Sequence, residues 1–441
     1  MDRLRTRIDS FLRALEEERY QIDRAQRRKP APGALHERAG DLFSPERITE
    51  VQRALAGSGG VEEKRNRAIL EFLARGRAVA VAADQLDQRL GWEVFGSVLV
   101  DESRIPVRQI GGALAVAGDP DRRHAIEEAY AEALDEQAHF ARDYLARHRA
   151  GIAELGYGSH VEAYQVLGSI DLHAIAREGE RFLAETDGLF RELLAFHLPR
   201  ATGVEPGDAR ASDGIRLEAG VEYDSLLRGG EGHRQVLEVI GSTGMDPEAD
   251  GRIGIEWEAY LGAAAGAVCR PVSVPDDVRL SVTPRSGRPA VASFLRACGF
   301  ALHHAYTDPE LSVEHRRLGD ESVPLATATL FESLLRSAHF VVRLYGFPRA
   351  RLKDYLSFAA LCTLLQLRRE IAGLRYELAY YDDSADSATY ADLLGEATRL
   401  RHDPRAAAWA TDGEFAGARR LRAAQLSATL AITLRNRFDE D

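Results

Sequence analysis

The chain has 441 residues, 45% of them hydrophobic and 29% charged, which excludes a disordered polymer and exceeds what one apolar core ordinarily organises. Its formal charge of −12 leaves no surplus of Lys and Arg to neutralise phosphates, so nucleic acid is not an expected partner. Three scattered cysteines, Cys269, Cys298 and Cys362, suit neither a disulfide framework nor a thiolate zinc site.

In chain order, residues 1–29 place Leu4, Ile8, Phe11, Leu12 and Leu15 on one helical face, with charges elsewhere. This opening carries no apolar signal core, and the longest apolar runs, around 263–269 and 355–367, are too short to span a bilayer. A cytoplasmic protein without a membrane partner is therefore expected. The basic run Arg24-Ala25-Gln26-Arg27-Arg28-Lys29 precedes Pro30, where cations suit a helix end; it reads as a solvated terminus rather than a binding patch. Ser44-Pro45-Glu46 is a helix start with a capping Ser and Pro in the first turn. Gly57 to Gly60 interrupts the pattern, and 61–90 is helical again.

Between 119 and 151 one long helix is expected, with Ile126, Tyr130, Leu134, Tyr144 and Leu145 inward. Glu127, Glu128, Glu132, Asp135 and Glu136 form its solvated face. A further helix over 170–200 carries Phe182, Leu183, Leu189, Phe190, Leu193 and Leu194. The Gly-, Asp- and Ala-rich stretch from Thr202 to Ile215 then reads as a loop between two halves, an N-terminal helical subdomain over 1–200 and a second subdomain over 201–441.

Strand patterning is confined to 268–284, where Val272, Val274, Val278, Leu280 and Val282 are apolar and Asp276-Asp277 suits a turn. Helices follow at 288–306, 323–345, 348–380, 386–402 and 413–437. No fixed-period repeat is present, so a solenoid is not expected. The fold class is mostly α with one small β element.

The chemistry hinges on Phe294-Leu295-Arg296-Ala297-Cys298-Gly299-Phe300-Ala301-Leu302-His303-His304-Ala305. A helix bearing H-E-x-x-H sets two imidazoles one turn apart, with the intervening Glu activating a metal-bound water. From about residue 150 onward the chain resembles the thimet oligopeptidase and oligoendopeptidase F-type zinc metallopeptidases, gluzincin-like enzymes, especially their shorter bacterial members. The resemblance rests on the strand-like run from Asp277 to Gly287 feeding a helix, and on Gly299-Phe300-Ala301-Leu302-His303 where the family has the end of H-E-x-G-H-A-x-H. It extends through Leu318-Gly319-Asp320-Glu321-Ser322-Val323 and Ala328-Thr329-Leu330-Phe331-Glu332.

The resemblance implies an elongated multi-helix metallopeptidase-like fold with a cleft for peptides, the small β element preceding the motif helix. Residue by residue, the first His ligand falls on Arg296, the general base on Ala297, the second His on Phe300 and the third ligand, a Glu, on Leu325. Gly299 and His303 keep the family pattern. The family's zinc is therefore not expected here: Arg offers no lone pair near neutral pH, and Ala, Phe and Leu have none. Relatives also place tyrosines on a late helix in an oxyanion role; the matching stretch, Asp412 to Arg422, has Ala416 and Arg420 at those positions.

What replaces the metal stays open. Phe300 and Leu325 can fill the vacated volume, while Arg296 can present a fixed charge to a carboxylate. His303 can join Glu332 and His339, expected on one helix face, in a displaced metal or ligand site, although satisfied or surface histidines are the simpler expectation. Adjacent His303 and His304 diverge by about 100° and do not easily share one metal. Glu314, His315, Asp320 and Glu321 read first as a polar interhelical loop with capping carboxylates, and second as an acid–base pair. Cys298 reads as a buried small residue. No phosphate-binding Gly-rich loop or G-x-S-x-G elbow occurs.

The expected function is that of a catalytically inactive metallopeptidase-like protein, a pseudopeptidase holding a peptide or small anionic ligand in its cleft. Two alternatives remain: an enzyme with chemistry relocated within the cleft, and a structural or regulatory partner of an active homologous protein. Because relatives are expected to continue beyond Asp441, a missing terminal helix is a further expectation.

Overall fold

A computed structural model describes residues 1–24, 26, 29–248, 251–257 and 266–438. Three residues of the basic run, the start of the apolar run at 263–269 and residues 439–441 lie outside this set. The first five helices are α1 (Asp2–Asp23), α2 (Pro32–Arg38), α3 (Pro45–Ala56), α4 (Gly60–Val81) and α5 (Ala83–Phe95). The stripe expected in α1 is the one it buries: Leu4, Ile8, Phe11 and Leu15. Ser44 caps α3 by accepting from the Arg47 amide at 3.3 Å, satisfying one of the amides a helix start leaves open.

A short antiparallel hairpin follows, β1 (Ser97–Val100) and β2 (Ser103–Pro106), so strands are not confined to 268–284. Its residues Ser97, Ser103 and Arg104 are polar, and only Val98 and Val100 are buried. Two inward residues are too few to register as an alternating pattern. Helices α6 (Ile110–Val116), α7 (Pro120–Glu136), α8 (Ala138–Ala153) and α9 (His160–Gly168) come next. The single helix expected over 119–151 is thus two, parted at Gln137. Glu127 is also more than a solvated side chain, since its carboxylate accepts from the Ser212 hydroxyl at 2.7 Å and from the Ser212 amide at 3.3 Å.

Helix α10 (Leu172–Thr202) runs unbroken across residue 200 and ends at Gly203. The expected loop is shorter at its far end, because α11 (Ala211–Ala219) begins within it. Asp213 explains why: it accepts from the Arg210 amide at 2.8 Å and from Arg123 Nε at 2.7 Å, both side chains of the ion pair being fully buried. After α12 (Glu231–Ser242) comes a three-stranded sheet of β3 (Ile253–Trp257), β4 (Ala267–Ser273) and β5 (Asp277–Val282). The order is β3-β5-β4, with β3 parallel and β4 antiparallel to the central β5. Val278, Leu280 and Val282 of β5 are fully buried, one face of a period-2 pattern.

Against this sheet lies α13 (Arg288–Ala305), followed by α14 (Val313–Arg317), α15 (Ser322–Ser333), α16 (Ala338–Tyr345), α17 (Arg349–Tyr381), α18 (Ser387–Thr398) and α19 (Ala416–Phe438). Helix α17 is the spine. Tyr355, Phe358, Leu361, Cys362 and Leu365 enter a core shared with the sheet and α13. Two turns later, Ile371, Leu374, Leu378 and Tyr381 enter a second core shared with α1, α4 and α9. Each such side chain removed from water contributes about 1.5–3 kcal/mol, so one helix fastens both cores together. No described helix is long and apolar enough to cross a membrane.

Candidate functional site

The motif helix α13 starts after Gly287, whose φ of 103° turns the chain into a helix with Pro289 in its first turn. Its apolar stripe, including Val291, Phe294, Leu295, Cys298, Ala301 and Leu302, is buried against the sheet. Arg296, Phe300 and His303 share the opposite, half-buried face, as their spacing of four and three residues requires, and His304 is half-buried next to them. Burial pushes the Cys298 thiol up, consistent with a packing role.

Gly299 is where α15 comes closest. A Cβ there would stand 2.7 Å from the Thr327 carbonyl oxygen and 3.0 Å from Ala328 Cα, so any side chain would force the helices apart. Across this contact Arg296 Nη1 donates to Glu332 Oε2 at 2.7 Å, with 31% and 15% of the two side chains exposed. The Phe300 ring packs edge-on to His304 at 4.6 Å, and Leu325 is half-buried in α15. Burial, then the nearby charges of His303 and Arg317, push His304 down to about 3. Burial likewise lowers His303.

His339 does not share a helix with Glu332, contrary to the expected continuous helix over 323–345. Helix α15 ends at Ser333, a 3-10 turn follows, and Ser337 caps α16 by accepting from the Phe340 amide at 3.3 Å. His339 is exposed on α16, and Glu332 holds Arg296. Among the described residues no group of three or more His, Cys, Asp and Glu side chains is placed to hold a metal ion. The donor set on the motif face therefore does not fit zinc: one guanidinium, one phenyl ring and two aliphatic side chains stand at Arg296, Phe300, Ala297 and Leu325. On the late helix, Arg420 Nε donates to Glu370 at 2.8 Å, and Ala416 offers no hydroxyl.

A large cavity lies elsewhere. It has a volume of about 1220 Å³ and opens between α1 and α4 on one side and α14, the 318–321 turn and α19 on the other. None of Arg296, Ala297, Phe300, His303, Leu325, Glu332 or His339 lines it. Glu314 and His315, which lie on the short helix α14 rather than in the expected loop, and Asp320 and Glu321 in the turn after it do line the cavity, in a role richer than capping alone. Asp320 caps α15 by accepting from the Ser322 amide at 2.9 Å and pairs with Arg422 at 2.9 Å. Glu314, its side chain 1% exposed, accepts from Arg5 Nε at 2.6 Å and lies 3.4 Å from Arg65.

At the α19 end, Arg75 bridges three carboxylates, Glu414, Glu321 at 3.0 Å and Glu71 at 3.7 Å. Arg419 sits 3.6 Å from both Glu71 and Glu321. Arg75 foremost holds Glu321 below the usual carboxylate range. For Glu414 burial acts upward, but the Arg75 charge and the His148 contact outweigh it, and the group stays well below that range. Burial prevails at Glu71 and raises it. Beneath this network Glu377 Oε1 accepts from Thr411 Oγ1, the Gly413 amide and the Phe415 amide, at 2.5, 3.1 and 3.3 Å. Burial, with the Asp412 charge, pushes the Glu377 carboxyl up to about 8. Gly413 is needed here, with φ at 84° and a Cβ position only 3.1 Å from the Tyr381 hydroxyl.

Sequence reasoning missed Arg75, Glu71, Glu377 and Arg419. One trace was available: Glu71 and Arg75 stand four residues apart among Leu70, Leu73 and Ala74, a charged pair on an otherwise apolar helix.

No protein-family model and no curated protein matches the sequence. Solved structures do match in fold. Trypanosoma cruzi metallocarboxypeptidase 1 superposes with a TM-score of 0.53 over 100% of this chain and 88% of its own, at 13% identity. PZ peptidase A, solved with an inhibitor, gives 0.57 over 96% and 77%, at 12% identity. An oligoendopeptidase F candidate from Bacillus anthracis gives 0.57 over 96% and 76%, also at 12% identity. The fold is that of oligoendopeptidase-like metallopeptidases, mostly helical with small sheets.

Proposed function

We propose that this is a metallopeptidase-fold protein without zinc-dependent peptidase activity, which uses its interhelical cavity to hold a peptide or small carboxylate ligand. The observation that carries the reading is the motif face of α13 and α15. Where the resemblance places three ligands and a base, the chain has Arg296 paired with Glu332 at 2.7 Å, Ala297, Phe300 and Leu325. A guanidinium already held by a carboxylate is a poor ligand site and a good helix clamp. The 1220 Å³ cavity, with Phe11, Leu12, Leu15 and Phe72 among its walls beside paired charges, has the mixed lining that suits a short peptide.

The test is a mixture of peptides of three to ten residues, presented to the purified protein with and without added zinc. Saturable binding without cleavage in either condition is expected. Zinc-dependent cleavage would overturn the reading.

A second reading, chemistry relocated within the cavity, draws support from one observation. Glu71 is raised while Glu321 and Glu414 are lowered around a single cavity, and such divergence accompanies acid–base sites as well as structural ion pairs. On that reading cleavage would proceed with chelator present and would be lost in Glu71→Gln.

A further inference from the structure

The two ends of the cavity differ in charge balance. At the α19 end, Arg75 and Arg419 share Glu71, Glu321 and Glu414, and Arg422 has Asp320. At the other end, where α1, β4 and α14 meet, cations outnumber their partners. Arg317, the last residue of α14, lines the cavity with only 5% of its side chain exposed. Its Nη1 donates to the Val272 carbonyl oxygen at 3.1 Å. The carboxylate nearest to it among the described residues, Asp9, lies 3.9 Å away and is shared with Arg13 at 3.8 Å. Glu16, the next carboxylate, already accepts from Arg19 at 2.6 Å. Arg316 and Arg13 add like charge beside it, and burial draws the Arg317 guanidinium below its ordinary value.

An arginine does not escape such a site by losing its proton. A desolvated guanidinium with no close counter-charge is stabilised most by an anion that arrives with the ligand, through a charge-assisted and often bidentate hydrogen bond. Leu12 and Leu15 of α1 and Leu318 lie along the same cavity, so apolar surface is available next to the charge.

We propose that Arg317 anchors the carboxylate of an amphipathic ligand in the α1–α14 end of this cavity, the apolar body of the ligand lying along Leu12, Leu15 and Leu318. This rests on the reading of the cavity as a ligand site and moves the anion anchor from Arg296, which Glu332 occupies, to Arg317. The carboxylate can come from a peptide C-terminus or from a free organic acid, since both present the same two oxygens.

The test is calorimetric titration of the full chain with three probes: N-acetyl-trileucine with a free carboxylate, its C-terminal amide, and octanoate. On the wild-type protein a free carboxylate is expected to bind at least tenfold more tightly than the amide. Tighter binding by the peptide acid assigns the head group to a peptide terminus, and tighter binding by octanoate assigns it to a free acid. Arg317→Met is expected to abolish that preference, whereas Arg296→Gln retains it. Acid and amide binding with equal affinity would overturn the inference while leaving a peptide-binding cavity intact, and this comparison needs no variant. Loss of the preference in Arg296→Gln alone would also overturn it. Binding of no probe would remove the ligand-site reading itself.

Discussion

The α13–α15 helix pair and the α1–α14 end of the cavity each present an arginine, and they treat it oppositely. Arg296 is nearly a third exposed yet has Glu332 at 2.7 Å; Arg317 is almost wholly covered, donates to the Val272 carbonyl oxygen and has no carboxylate closer than Asp9 at 3.9 Å. The first is a closed contact, reinforced by Gly299 letting two backbones meet. The second is a charge whose surroundings leave it incompletely paired. Coverage without pairing is what a recognition site requires, because the incoming partner supplies what the fold withholds. Position within a familiar motif is a weaker guide than the state of the partner atoms.

The most direct way to break this contrast is to unbalance the paired end of the cavity. Arg75→Met leaves Glu414 and Glu321 facing each other without their shared cation. With about a fifth of the Arg75 and Glu414 side chains exposed, solvent softens the loss, and about 3 kcal/mol of destabilisation is expected in urea unfolding. A change below 0.5 kcal/mol would mean that the network contributes little to holding α4 against α19.

Gly299→Val probes the closed contact. A side chain at 2.7 Å from the Thr327 carbonyl oxygen overpacks the helix pair, with an expected cost of about 2 kcal/mol. An unchanged melting temperature would show that α13 and α15 can part, and that the motif face is not filled.

Glu377 sharpens the comparison through pH. Its carboxyl is raised from 4.5 to about 8 in the folded chain, so across that window the folded state retains a proton that the unfolded state has released. Stability from this group therefore falls as pH rises from 4.5 to 8 and is level above it. Glu377→Gln keeps an Oε1 acceptor for Thr411, Gly413 and Phe415 and removes the titration. The variant is expected to lose less stability between pH 5 and 8 than the wild type. Parallel stability profiles would place the proton on another group.

Much of the helical framework was legible because its apolar spacing is long and regular, as in α1, α10 and α17. The short elements were not. The β1–β2 hairpin buries only two alternating residues, and the break before α16 depends on Ser337 accepting a hydrogen bond from Phe340, a contact that periodicity does not encode. The motif helix could be located by residue order, whereas the close approach at Gly299 came only from the packing of α15 against it. The cavity could not, because it is assembled from ion pairs such as Arg5–Glu314 and Arg75–Glu414, whose partners are remote in sequence. Long-range pairing of this kind arises only once the two cores are brought together by α17.

Zinc content, measured on the purified chain after equilibration with the metal and read beside peptide cleavage, tests the central claim most directly. No stoichiometric zinc and no zinc-dependent cleavage are expected, because Arg296, Ala297, Phe300 and Leu325 present no donor set. One zinc per chain with chelator-sensitive turnover would contradict it, and would mean that side chains other than these have rebuilt the site.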